Sequence, residues 1–245
     1  MNKSVLFLSL ALLLSACSTI PADSSLFKLK YRELMSNSAL EGAAVDVEQF
    51  KTLEDLASNR KERMLAALAV AYAYYKDQQF DAAVERLESF IRDYPAYPRM
   101  DYVLYLRALA TKAQGKQEFN EAVSDISVRP AYPEKLRTAY RYFVDLVTRY
   151  PKSEYSAQAL NFMKNIRTNL AAYELFAARY DLLEKRFNEV VRRSQYVLEF
   201  YKDTPVIAQA YELQARAYRA MGKPEMAEEV ERRQKRAERE AAAGS

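Results

Sequence analysis

The sequence predicts an all-α fold, a solenoid of about five helical hairpins, from three observations: a helix-forming composition, apolar residues at helical spacing, and a segment that recurs along the chain. Only 4 of 245 residues are glycine and 8 are proline, too few to punctuate a β-rich chain. Ala, Leu, Glu, Arg, Lys and Gln, which lose little on entering a helix, are abundant. Met64, Leu65, Leu68, Tyr72 and Tyr75 lie on one helical stripe, and Val84, Leu87, Phe90, Ile91 and Tyr94 on another. In the window 64–97, Ala71, Tyr74, Ala83 and Pro95 occupy the small, aromatic, small and helix-stop positions of a 34-residue tetratricopeptide repeat.

At the N-terminus, Met1-Asn2-Lys3 is a short basic start and Val5 to Leu14 an apolar stretch too short to span a bilayer. Leu14-Ser15-Ala16-Cys17 follows, which looks like a bacterial lipobox. Residues 1–16 are therefore expected to be a cleaved signal peptide and Cys17, the sole cysteine, the lipidated mature start. By resemblance to bacterial lipoproteins, Ser18 in place of aspartate implies the outer membrane, and residues 17–25 read as a lipidated, unstructured tether. The covalent lipid on Cys17 is the only non-protein group expected.

The solenoid is expected over 26–240, with an N-terminal half 26–133 and a C-terminal half 134–240. Leu26 to Asn59 reads as one degenerate pair, interrupted at Ser36-Asn37-Ser38 and Gly42-Ala43-Ala44. After the 64–97 repeat, Asp101 to about Ala113 is a first helix whose partner starts near 134, with Ala139 and Tyr150-Pro151 matching Ala83 and Tyr94-Pro95. The segment between Gly115 and Pro133 stands as an insertion where a tight turn is expected. Windows 171–204 and 208–241 return Ala178 and Val190, then Ala215, Tyr218 and Ala227. Ser153-Glu154 and Thr204-Pro205 are N-cap candidates. Glu228, Glu229 and Glu231 each precede a base by four residues. Ala241 to Ser245 resembles a tag scar.

The chemistry is sparse. There is no histidine, so the commonest general base and metal ligand are missing. The four glycines are too scattered to cradle phosphate, no Cys/Asp/Glu cluster has metal-ligand spacing, and no serine sits in a nucleophile elbow. A charge of +4, from 37 basic against 33 acidic residues, carries one short basic cluster from Arg232 to Arg239 and does not suit a nucleic-acid binder. No enzymatic activity, cofactor or metal is expected. The 19 tyrosines admit two uses, interhelical packing or a recognition surface of large, rigid, amphipathic rings. Tyr72, Tyr75, Tyr102 and Tyr105, with Arg107, are the candidates for a groove lined by the first helices of successive hairpins.

The run Ala71-Tyr72-Ala73-Tyr74-Tyr75-Lys76, then Phe90-Ile91-Arg92, Tyr94-Pro95 and Asp101-Tyr102-Val103-Leu104-Tyr105-Leu106-Arg107-Ala108-Leu109, resembles the BamD family of the β-barrel assembly machinery. The likeness continues through Tyr150-Pro151-Lys152-Ser153-Glu154-Tyr155 and covers roughly 62–225. It lacks the family's Gly-Phe-Phe-Gly string in the 115–133 insertion. The resemblance implies five repeats and a lipid-anchored protein at the periplasmic face of the outer membrane. It also implies a BamA-like POTRA and barrel partner, other Bam lipoproteins, and unfolded outer-membrane clients received by the N-terminal repeats. By position it places Arg193 at the BamA-docking surface. A periplasmic repeat lipoprotein that organises a different envelope complex is the alternative reading.

Overall fold

The structure is a computed structural model that describes residues 22–38 and 44–243; the candidate signal peptide, Cys17 and Gly42 lie outside the described residues. Those described residues form ten helices and no strand: α1 Ala22–Ser38, α2 Val47–Leu56, α3 Arg60–Lys76, α4 Phe80–Asp93, α5 Met100–Ala122, α6 Glu134–Arg149, α7 Ser156–Leu183, α8 Phe187–Phe200, α9 Ile207–Ala220 and α10 Pro224–Ala243. Consecutive helices pack as five antiparallel-type hairpins, α1–α2 through α9–α10. The fold is the all-α hairpin solenoid that the periodicity predicts.

Two layers follow from which helices touch. Each odd-numbered helix also meets the next odd one, whereas no even-numbered helix meets another even one. The odd helices therefore form the inner layer and the even ones a splayed outer layer. Burial agrees: α4 buries the single stripe Ala83, Leu87 and Phe90, and α6 the stripe Leu136, Ala139, Phe143 and Leu146. The inner α3 instead buries residues around most of its circumference, including Ala66, Ala69, Val70, Ala71 and Ala73. The small residues picked out by the repeat window, Ala71, Ala83, Ala139, Ala178 and Ala227, are all fully buried. A larger side chain there would separate crossing helices.

The turns repeat as well. In α3–α4, α7–α8 and α9–α10 a left-handed residue closes the hairpin: Gln78 at φ 61°, Lys185 at φ 57° and Gly222 at φ 70°. Each is followed by the same long-loop bond, Gln79 N to Tyr74 O, Arg186 N to Asp181 O and Lys223 N to Tyr218 O, at 2.8–2.9 Å. The even helices end alike, with Tyr94, Tyr150 and Tyr201 donating back to Phe90, Leu146 and Val197 at 2.8–2.9 Å.

Several local expectations are corrected. α1 begins at Ala22, inside the expected tether, and runs through Ser36-Asn37-Ser38 without a break. The start of the 115–133 insertion is helical, because α5 continues to Ala122. Gly115 makes this possible: a Cβ there would lie 2.4 Å from the Leu136 backbone nitrogen, so only glycine lets α5 and α6 approach so closely. Neither residue is the N-cap of its helix, although Ser153 Oγ accepts from the Tyr155 N–H at 3.2 Å in the turn ahead of α7. Ser153 Oγ donates to Asp101, Thr204 Oγ1 donates to the Tyr201 carbonyl at 2.7 Å, and the following helices begin at Ser156 and Ile207. Of the three Glu–base pairs in α10, Glu228–Arg232 stands at 3.7 Å, Glu229 engages Arg232 at 2.9 Å, and Glu231 reaches across to Arg219 on α9. Ala241 to Ala243, read as a tag scar, continue α10.

Candidate binding site on the inner face

α1, α3 and α5 lie side by side in the inner layer, and the turns before α5 and α7 rise beside them. Together they enclose a cleft of about 260 Å³ walled by Tyr31 and Met35 from α1, Leu68 and Tyr72 from α3, Tyr97 and Arg99 from the α4–α5 turn, Tyr102 from α5, and Tyr155 from the α6–α7 turn. Five of these walls are phenol rings, and Arg99 is the one charged side chain among them.

The rings are held by one another. Tyr155 stacks on Tyr105 at 4.7 Å with planes 17° apart and tilts against Tyr102 at 5.8 Å. Burial, followed by the neighbouring hydroxyls of Tyr72 and Tyr155, pushes the Tyr102 phenol well above its ordinary range, so it remains a neutral O–H at any physiological pH. Arg99 sits at the rim with its side chain 53% exposed. It donates to the Tyr155 hydroxyl at 2.9 Å and pairs with Asp101 at 3.4 Å and with Glu154. Burial would raise the Asp101 carboxyl, but the Ser153 hydroxyl at 2.8 Å, the Tyr102 N–H and Arg99 outweigh it and hold the pKa low. The result is a rigid, water-accessible aromatic cleft with a cation on its lip. It suits an apolar or aromatic side chain on a polypeptide, with hydroxyls for the accompanying backbone.

Of the candidate groove residues, Tyr72 and Tyr102 enter this cleft. Tyr75 is one turn along α3, half-buried and tilted against Phe80 at 6.0 Å, beside the cleft but outside its walls. Tyr105 is 8% exposed and its hydroxyl donates to Gln158, so it supports the Tyr155 wall from beneath. Arg107 faces away. Its guanidinium lies 3.7 Å from the centre of the Tyr142 ring on α6 and 3.7 Å from Asp145, and Tyr142 in turn donates to Glu88 on α4. Five residues separate Arg107 from Tyr102, which turns it to the outer-layer side of α5. The cleft also recruits Tyr31, Tyr97, Arg99 and Tyr155. Tyr97 lies between Tyr94-Pro95 and the Asp101-Tyr102 run in the sequence, whereas Tyr31 comes from a helix whose packing no local signal encodes.

Arg193 occupies a different environment on α8. Its Nε donates to Asp181 at 2.8 Å and its Nη1 to Glu174 at 2.7 Å, both on α7, and Asp181 also accepts from Arg186 at 2.7 Å. Glu174 and Asp181 are 8% and 5% exposed. Burial opposes the Arg193 charge, yet the two carboxylates outweigh it and raise its pKa further. Arg193 thus locks α7 to α8 within one hairpin. On α8 this hairpin exposes the aromatic pair Tyr196 and Phe200, 40% and 51% exposed with rings 4.8 Å apart, and on α7 it exposes Leu160 and Leu183.

Among the described residues no group of three His, Cys, Asp or Glu could hold a metal ion, and no helix is long and apolar enough to cross a membrane. Compared with known proteins, residues 22–233 match the YfiO family, described as an outer membrane lipoprotein. A Neisseria meningitidis serogroup A protein named outer membrane protein assembly factor BamD is 33% identical over 242 residues, covering 95% of this chain and 90% of its own. Proteins of the same name from Vibrio cholerae, 32% identical over 63% of this chain and 64% of their own, and Haemophilus influenzae, 25% identical over 94% and 88%, align in the same way.

Proposed function

We propose a function from one premise: the chain belongs to the YfiO family of outer membrane lipoproteins. It acts as an outer membrane protein assembly factor, a non-enzymatic scaffold within a Bam-type complex. Acylation of Cys17 anchors it at the periplasmic face of the outer membrane. Its N-terminal hairpins receive an extended segment of an unfolded barrel client, and its C-terminal hairpins dock the periplasmic POTRA domains of a BamA-like barrel protein.

The tyrosine cleft between α1, α3 and α5 is the observation that carries this reading. It is preorganised by ring stacking and by the Arg99–Asp101–Ser153 bonds, so a client side chain meets a surface already ordered. A strand-forming segment has side chains at alternating faces, so one face can enter the cleft while the other stays in solvent. At the other end, Arg193 contributes to docking by fixing the hairpin that exposes Tyr196 and Phe200, an aromatic pair of the kind that anchors interfaces.

Affinity purification of the lipidated protein in detergent, with partners identified by mass spectrometry, tests the assembly role. Near-stoichiometric recovery of a BamA-like barrel, abolished by Tyr196→Glu with Phe200→Glu in a chain of unchanged helicity, is the expected result. Recovery of another envelope complex without such a barrel contradicts it.

A further inference from the structure

α1 carries leucines where a solvent-facing helix usually carries polar residues: Leu26 is 50% and Leu29 64% exposed. The opposite face of the same helix is fully committed. Phe27 and Leu34 are 1% and 5% exposed and pack with Phe50, Leu53 and Val70 into the core of the first hairpins. The leucines are therefore not part of that core, and nothing among the described residues covers them.

Three further features bear on what covers them. At 100° per residue, Lys30 and Arg32 fall on either side of the leucine pair, with Lys28 beside Arg32. Lys28 and Arg32 are exposed. Glu33 follows on the leucine face one turn later and is engaged by Lys30 at 3.3 Å, which ends the stretch of apolar and basic character. Finally, α1 begins at Ala22, so the chain cannot place its first turn more than about 18 Å from Cys17. Two exposed leucines alone are ordinary on a protein surface. Two leucines flanked by cations, within reach of an acylated residue, match an interfacial helix.

We propose that α1 from Leu26 to Arg32 rests in the headgroup region of an anionic bilayer. Leu26 and Leu29 enter the upper acyl layer, and Lys30 and Arg32 meet lipid phosphates. This rests on the reading of Cys17 as the lipid anchor and adds a second, non-covalent contact. Single-point tethering leaves a solenoid free to tilt; a helix laid on the surface fixes its inclination. Because α1 also supplies Tyr31 and Met35 to the tyrosine cleft, membrane contact sets how the cleft faces the bilayer.

Acylated Cys17 cannot react with thiol reagents, so an introduced cysteine is the one labelling site in the lipidated protein. A polarity-sensitive fluorophore is placed on Leu29→Cys, and on Glu85→Cys of α4 as a control, in full-length protein reconstituted into phosphatidylethanolamine vesicles. With one-fifth phosphatidylglycerol present, nitroxide lipids labelled near the headgroup should quench the Leu29→Cys probe at least about twofold more than the control. Adding Lys30→Glu and Arg32→Glu should remove most of that difference. Equal quenching at both positions overturns the proposal. So does a Leu29→Cys probe shielded from aqueous quencher yet unreachable by the lipid nitroxide, which would mean that protein covers the face. Two labels per chain by mass would reveal a free Cys17 and overturn it at the anchor instead of at the helix.

Discussion

Arg167 shows how single side chains tie the hairpins together. From α7 it donates to Asp203 at 3.1 Å and to the Phe200 carbonyl at 2.7 Å, and its guanidinium lies 5.2 Å from the centre of the Tyr201 ring. Its hydrogen bonds lower the Asp203 carboxyl below the usual value, more than partial burial raises it. A carboxyl whose folded pKa is depressed adds stability above its unfolded value, near 3.9, and loses it as pH falls through the folded value. Asp203→Asn should therefore cost about 0.5–1 kcal/mol at pH 7, modest because the pair is half exposed, and less at pH ~3, below the unfolded carboxyl value. Chemical denaturation at both pH values measures the difference. Arg193 should behave differently, because removing it strands two buried carboxylates. Arg193→Ala should cost about 3 kcal/mol, and adding Glu174→Ala should return part of that loss in a double-mutant cycle. The family resemblance placed Arg193 at a docking surface; the residues that engage it, Glu174 and Asp181, lie 19 and 12 positions away and become its neighbours only through tertiary packing.

Among elements, the legible ones are those whose signal is local. The alanines at crossings, the Tyr94 and Tyr150 stops and the apolar stripes specify hairpins directly, and they read correctly. Yet the stripe of Met64, Leu68, Tyr72 and Tyr75 does not mark the deepest part of α3. Small residues allow the closest approach there, which leaves Tyr72 and Tyr75 half-buried on the inner face. Helix lengths were less legible, since α5 and α7, at 23 and 28 residues, exceed the half of a 34-residue repeat that one helix takes, and nothing in an amphipathic stretch marks where it stops being supported by a neighbour. Gly115 was read as the edge of an insertion because a glycine within a helix carries no periodicity signal of its own. Its role predicts that Gly115→Ala costs about 1–3 kcal/mol by forcing α5 from α6. Gln78→Gly, at a left-handed turn residue, should instead stabilise the protein by a few tenths to about 1 kcal/mol. Thermal unfolding of the two variants should show opposite shifts.

At the scale of the whole molecule, hairpins contact chiefly their neighbours, yet α3 joins two cores. Its Ala66, Ala69, Val70 and Ala73 pack with α1 and α2, while Leu68 and Ala71 belong to the cluster that runs on to Ala217. The cleft sits over this junction, where α1, α3 and α5 pack side by side, so the proposed client recognition draws on a well-supported part of the solenoid. The tyrosine-rich runs offered an inner-layer surface as one of two uses for these rings. That Tyr31 and Arg99 would close the cleft was not legible, because their placement depends on how the first hairpin docks against the second. The most direct test of the scaffold account is calorimetric binding of barrel C-terminal peptides to the intact protein and to Tyr72→Ala with Tyr102→Ala. The account predicts specific binding, absent for scrambled peptides and weakened at least about tenfold in the variant, corresponding to ~1.4 kcal/mol, while its helical content is unchanged. Equal affinity for native and scrambled peptides, or an unaltered affinity in the variant, would contradict it.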